Sequence, residues 1–167
     1  MNKEFGGPWT ELKLSVLKKY LVAYTVALKN KPFRKVYIDS FAGNGMIQTK
    51  TGQQYEGSAK IALNVEGFDE YLFIEKDQDN VSALHTMGQA YPTKMIRYWS
   101  GDANDLIGNW VTGLEDIRGV RGVAFFDPFG MELAWETLAN VVRTGVLDVW
   151  YWFPLSGLYR QTPRTRR

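Results

Sequence analysis

Five short apolar runs divide this chain, and four of them leave through an acidic residue. Val36-Tyr37-Ile38 exits at Asp39, Tyr71-Leu72-Phe73-Ile74 at Glu75, Met95-Ile96-Arg97-Tyr98-Trp99 at Asp102, and Gly122-Val123-Ala124-Phe125-Phe126 at Asp127. Short β-branched and aromatic runs of this kind read as buried strands. A near-continuously apolar run such as 122–126 fits a strand covered on both faces. The spacing predicts strands over 35–40, 71–74, 95–99, 122–126 and 146–153.

Helical spacing fills the intervals. From 10 to about 29, Leu12, Val16, Leu17, Tyr20, Leu21, Tyr24 and Leu28 recur at helical spacing, with Thr10 placed to cap the start and Pro32 beyond the end. Further helices are expected from Ser58, which is placed to cap Ala59-Lys60-Ile61-Ala62-Leu63, and over 78–88, 104–114 and 134–144. Strands alternating with helices imply right-handed βαβ units. The expected fold is therefore α/β: a Rossmann-like, doubly wound, mainly parallel sheet of about five strands with flanking helices, in one domain over 1–167. Ligands of such sheets bind beyond the carboxyl ends of the strands, where the strand order reverses. The acidic exits thus become the residues of interest.

Composition limits the functions open to the chain. At 167 residues with 45% hydrophobic content it can bury a core. No apolar run approaches the ~20 residues that cross a bilayer, and the first residues lack a signal peptide's apolar centre, so a soluble, cytoplasmic protein is expected. Zero cysteines exclude disulfides and thiolate metal sites, and a single histidine excludes a multi-histidine one; no metal is expected. His85 reads as a solvated residue on a helix flank. Charge is uneven: residues 1–35 carry eight Lys/Arg against two acids, and the tail 160–167 adds four arginines. Basic arms around an acidic body suit a polyanion such as DNA or RNA, although lysines on an amphipathic helix also simply keep its polar face wet.

The first exit carries the strongest local signal. Asp39-Ser40-Phe41-Ala42-Gly43-Asn44-Gly45 sets two glycines where a Cβ would restrict backbone angles and ligand approach. A dinucleotide fingerprint needs a third small residue where this chain has Gln48, and a P-loop needs Gly-Lys-Ser/Thr where it has Met46-Ile47-Gln48-Thr49. NAD and nucleoside triphosphates are therefore disfavoured. What is left resembles the first motif of S-adenosylmethionine-dependent methyltransferases of the Rossmann-like class. That resemblance implies cofactor contacts from Asp39, Phe41, Ala42, Gly43 and Gly45. Glu75, with Lys76 beside it, would accept the ribose hydroxyls, since a carboxylate offers two acceptor oxygens. Asp102 would accept the adenine amino group, with Ala103 supplying backbone contacts, while Asp77, Asp79 and Asp102 also precede helices and read equally as N-caps.

Asp127-Pro128-Phe129-Gly130 resembles the Asp-Pro-Pro-Tyr motif of amino-directed nucleic acid methyltransferases, and more closely the Asp-Pro-Phe-Gly of a tRNA guanine-N2 methyltransferase family. An exocyclic amino nitrogen is a poor nucleophile because its lone pair is delocalised into the ring. A carboxylate and a backbone carbonyl that accept its hydrogens favour the tetrahedral form, and an aromatic ring stacks on the base. The resemblance gives those parts to Asp127, the Pro128 carbonyl and Phe129; a base in a duplex must first be flipped out.

As an ordered set, 37–45, Tyr55-Glu56-Gly57-Ser58-Ala59, Phe73-Ile74-Glu75-Lys76-Asp77, 127–130 and Phe153-Pro154-Leu155-Ser156-Gly157-Leu158-Tyr159-Arg160 resemble the three-Cys-motif partner family (TcmP). The resemblance implies a class I methyltransferase-like protein with a three-Cys-motif protein encoded nearby as partner. Members are longer, so it also implies a truncated chain whose last strand is an exposed edge. Residues 49–56 read as a polar loop inserted after the glycines, which frees the next helix from pointing at the cofactor. A second function class stays open: a non-catalytic partner module with a vestigial or sensory S-adenosylmethionine pocket, in which Trp150-Tyr151-Trp152-Phe153 contributes to a protein interface.

Overall fold

Parallel pairing gathers the carboxyl ends of all the strands along one edge of a sheet, and the five long strands here pair in that way. The computed structural model describes residues 8–48, 52–113 and 117–153; the arginine-rich tail at 160–167 and the motif residues 154–160 lie outside the described residues. In chain order the elements are α1 (Pro8–Ala27), β1 (Arg34–Asp39), β2 (Met46–Gln48), β3 (Gln54–Glu56), α2 (Ser58–Leu63), β4 (Glu70–Glu75), α3 (Gln78–Gly88), β5 (Ile96–Ser100), α4 (Ala103–Thr112), a 3-10 turn (Ile117–Gly119), β6 (Val120–Phe126), α5 (Trp135–Arg143) and β7 (Leu147–Tyr151). Five strands form one parallel sheet in the order β5-β4-β1-β6-β7. The order reverses between β1 and β6, which places the ends of those two strands at the crevice where such folds take ligands.

Alternation along the strands builds two cores. Tyr37, Tyr71, Phe73, Val123 and Phe125 face α1 and α2, packing on Leu14, Leu17, Leu21, Ala59 and Ile61. Val36, Ile38, Leu72, Ile74, Ala124 and Phe126 face the other way, onto Ile107 and Trp110 of α4 and Val141 of α5. Burial on both sides explains why these strands read as unbroken apolar runs.

The structure revises three local expectations. Helix α1 begins at Pro8, so Thr10 lies inside the first turn rather than capping it; proline's fixed φ suits the opening of a helix. Gly57, not Ser58, is the N-cap of α2, with no side-chain cap bond. Residues 49–56 are not merely an inserted loop: β2 and β3 pair as an antiparallel ribbon, with Ile47 opposite Tyr55. The ribbon folds the chain back on itself, and the Gly57 amide donates to the Gly45 carbonyl at 2.9 Å, so α2 starts directly beneath the glycine loop.

Polar contacts seat α1 along β6 and β7. Tyr20 donates to the Asp148 carboxylate, its ring 4.8 Å from that of Trp150, and the Tyr24 hydroxyl donates to the Gly122 carbonyl at 3.1 Å. These ties set the register of the helix on the sheet, and with it the place of every residue on its first two turns.

Candidate functional site

At the end of β1 the backbone is stitched to both neighbouring strands. The Ser40 amide donates to the Phe125 carbonyl of β6, and the Ala42 amide to the Ile74 carbonyl of β4, each at 3.1 Å. Between them Phe41 packs into the α4/α5 core while Ala42 is buried on the α1 side. Gly43 and Gly45 both have positive φ, +59° and +80°, in different surroundings. A Cβ on Gly43 would meet nothing within 4 Å, whereas one on Gly45 would lie 2.6 Å from Met87 Sδ. The positive φ favours glycine at both; the crowding at Gly45 comes from the flexible end of Met87, and Gly43 is the glycine with open space beside it.

Glu75, at the end of β4, is tied into this loop. Its Oε2 accepts from the Gly43 amide and its Oε1 from the Asp77 amide, both at 2.9 Å. A carboxylate oxygen has a second lone pair, so each retains acceptor capacity. Lys76 turns outward to an ion pair with Glu132 at 3.1 Å. Asp77 caps α3 by accepting from the Asp79 and Asn80 amides, and Asp102 caps α4 by accepting from the Asn104 amide at 2.8 Å, with Ala103 buried behind it. His85 is exposed on α3, its ring against Tyr98.

Asp39 is fully buried. The Tyr37 hydroxyl donates to its Oδ2 at 3.3 Å, while Oδ1, like the neighbouring Ser40 Oγ, has no hydrogen-bond partner among the described residues. Burial pushes its pKa up to about 7; the Ser58 hydroxyl opposes that shift and the charge of Asp127 adds to it. Two buried, unpaired polar atoms at a switch point are an unmet demand for a partner.

At the end of β6, Asp127 meets a residue that the sequence reading did not single out. Lys13, on the second turn of α1, donates to Asp127 Oδ2. The lysine side chain is 9% exposed and the aspartate 29%. The ammonium also lies over the Trp152 ring, 5.3 Å from its centroid. Pro128 is buried, Phe129 is half exposed, and Gly130 turns the chain with φ +70°. Asn104 secures the following loop: its amide donates to the Glu132 carbonyl, and its Oδ1 accepts from the Ala134 amide and the Thr137 hydroxyl, all at 2.9 Å. No local pattern announces either Lys13 or Asn104, because each finds its partner through tertiary contact.

The fold therefore brings Asp39, Gly43, Glu75 and Asp127 to the ends of adjacent strands, with Asp102 one strand further out. A separate cleft of about 290 Å³ lies between α1, α2 and the ribbon, lined by residues including Leu14, Ile47, Tyr55 and Ile61. Its lining includes none of the residues of the glycine loop or of 127–130.

No protein-family model matches the sequence, and no curated protein matches it. Solved structures do share its fold. The Escherichia coli protein yhhF, a candidate methyltransferase, matches with a TM-score of 0.55 at 13% identity, over 98% of this chain and 76% of its own. Protein LPL1258 of Legionella pneumophila, of the family DUF519, matches with a TM-score of 0.53 at 15% identity, over 78% of this chain. The chain spans 61% of the Legionella protein's length. The fold is thus α/β, Rossmann-like, and of the kind found in a methyltransferase-like neighbour. No helix among the described residues is long and apolar enough to cross a membrane, and none of their acidic and histidine side chains cluster as a metal site.

Proposed function

We propose that the chain binds S-adenosylmethionine at the β1/β4 strand ends and, with the acceptor half at β6, transfers its methyl group to an exocyclic amino nitrogen of a nucleic acid base. The observation that carries this reading is Glu75 clasping the Gly43 amide at the switch point, with open space over Gly43 and an unpaired buried oxygen on Asp39 beside it. These features fit the cofactor. Its ribose is served by the remaining acceptor capacity of Glu75, its adenine by Asp102, and its positive charge by the carboxylate of Asp39. A sulfonium supplies an electrophilic methyl group, and this chain's residues prepare the nucleophile for it.

That preparation falls to Asp127 and its neighbours. The carboxylate and the Pro128 carbonyl accept the hydrogens of the amino group, which restores its lone pair, while the exposed ring of Phe129 stacks on the base. On this reading the chain is TcmP-like, with a three-Cys-motif protein as partner, while DNA or RNA as acceptor rests on the resemblance of residues 127–130 to amino-directed methyltransferases.

Calorimetry with S-adenosylmethionine tests the cofactor half: binding is expected, and its absence sinks the reading. Transfer of a labelled methyl group to RNA or DNA pools tests the other half, and Asp127→Ala should abolish it while leaving cofactor affinity within about threefold. Binding without transfer to any nucleic acid would favour the non-catalytic module.

A further inference from the structure

We infer that Lys13 is a positioning residue of the acceptor site: it holds one oxygen of Asp127 so that the other is presented to the acceptor's amino group. This rests on the function proposed above for Asp127. Lysines are almost never buried without a partner, and this one, 9% exposed, lies over the Trp152 ring and is paired with a carboxylate 114 residues away in sequence. Its placement is set by the helix that carries it, through Tyr20 on Asp148 and Tyr24 on the Gly122 carbonyl.

Two roles suit an amine in that place. It either plugs the acceptor position and leaves when the base arrives, or it stays and orients the carboxylate. A neutral amino group is a weaker partner for a carboxylate than an ammonium, and removing one partner from a buried ion pair leaves an uncompensated charge. An arriving base therefore does not displace Lys13. It takes Oδ1, the oxygen that the lysine leaves, together with the Pro128 carbonyl. Because Oδ2 is fixed, Oδ1 is fixed too, and the amino group meets a carboxylate already oriented rather than one free to rotate.

The test needs no knowledge of the natural acceptor. Adenosine, cytidine and guanosine are each titrated by calorimetry against the full chain loaded with S-adenosylhomocysteine, beside the ribonucleoside that lacks the exocyclic amino group. The wild-type chain should prefer at least one amino-bearing nucleoside over its counterpart by about tenfold, the scale of a hydrogen bond to a charged group. Lys13→Met should remove most of that preference while leaving the affinity of the amino-free nucleoside unchanged, a split that general damage to the site would not produce. Lys13→Arg keeps the charge and guards against a misfolded methionine variant; its planar fork engages both carboxylate oxygens, so it too should lose the preference. A preference that survives in both variants overturns the inference, as does a wild type with no preference. Tighter binding of amino nucleosides by Lys13→Met would mean that the lysine is a plug instead. Failure of the underlying reading looks different: it shows in the wild-type chain, which then fails to bind S-adenosylmethionine or shows no preference for any amino-bearing nucleoside, whereas failure of the Lys13 role alone shows only in the variants.

Discussion

Asp39 and Asp127 end neighbouring strands of one sheet and are treated in opposite ways. Asp39 is wholly buried, no cation among the described residues pairs with it, and its pKa is pushed up to about 7, chiefly by burial. Asp127 stands 29% exposed and is met by the ammonium of Lys13. Desolvation disfavours the charged form of a carboxyl, and an adjacent cation favours it. The first site thus sits at the edge of ionisation near neutral pH, ready to respond to a cation brought by a ligand, while the second has its cation built in. Their equivalent positions at strand ends do not fix their chemistry; what packs over each of them does.

The largest way to break this contrast is to take the cation from Asp127. Lys13→Met leaves a carboxylate facing an apolar side chain, and unpairing a buried ion pair costs about 3–5 kcal/mol. Since Asp127 keeps some access to water, about 2–3 kcal/mol is expected here, read from denaturant unfolding. Adding Asp127→Asn should recover most of it, and the double-mutant cycle isolates the pair. A loss under about 0.5 kcal/mol, the size of an exposed pair, would mean that Lys13 is solvated and the two aspartates are not so different.

A smaller effect sharpens the contrast from the other side. Asp39 has a folded pKa near 7 against an ordinary 3.8, so between those values the native chain holds a proton that the unfolded chain has released. Its contribution to stability is fully present below about pH 4 and is lost as pH rises through 7. Asp39→Asn should flatten that part of the stability profile and raise stability at pH 8, relative to the wild-type chain, by on the order of 2 kcal/mol. Asp127→Asn removes the lesser upward influence, so it should shrink that part of the profile only in part and leave the share due to burial. A wild-type profile flat from pH 4 to 8 would show that Asp39 stays ionised throughout.

Much of this was legible in the sequence, for identifiable reasons. Strands buried on both faces must be apolar at every position, so β1, β4 and β6 announce themselves, as do the acidic residues at their ends. Asp77 and Asp102 were readable as caps because capping is local. The β2/β3 ribbon was not, since three-residue strands leave too few positions for alternation to register. Thr10 and Ser58 have cap-type side chains but do not cap, because Pro8 and Gly57 set the helix starts through backbone geometry. Lys13 reads as one more lysine on the polar face of an amphipathic helix; only the seating of α1 on β6 and β7 turns it inward. Asn104 is hidden in the same way, since its partners at 132–137 reach it only once α4 and α5 have packed.

Ser58 gives the smallest and most discriminating test. It does not cap its helix, and its hydroxyl instead opposes the upward shift of the Asp39 carboxyl. A hydroxyl that donates to a carboxylate is worth more than one beside a neutral carboxyl, because hydrogen bonds to charged groups are the stronger kind. Ser58→Ala should therefore cost about 1 kcal/mol at pH 8, where Asp39 is largely ionised, and less at pH 4, where it is protonated. Its pH dependence of stability should be steeper than that of the wild-type chain, while the Lys13–Asp127 coupling measured in the double-mutant cycle stays unchanged. An equal loss at both pH values would assign Ser58 to the packing of α2 and leave burial and Asp127 as the influences that distinguish Asp39.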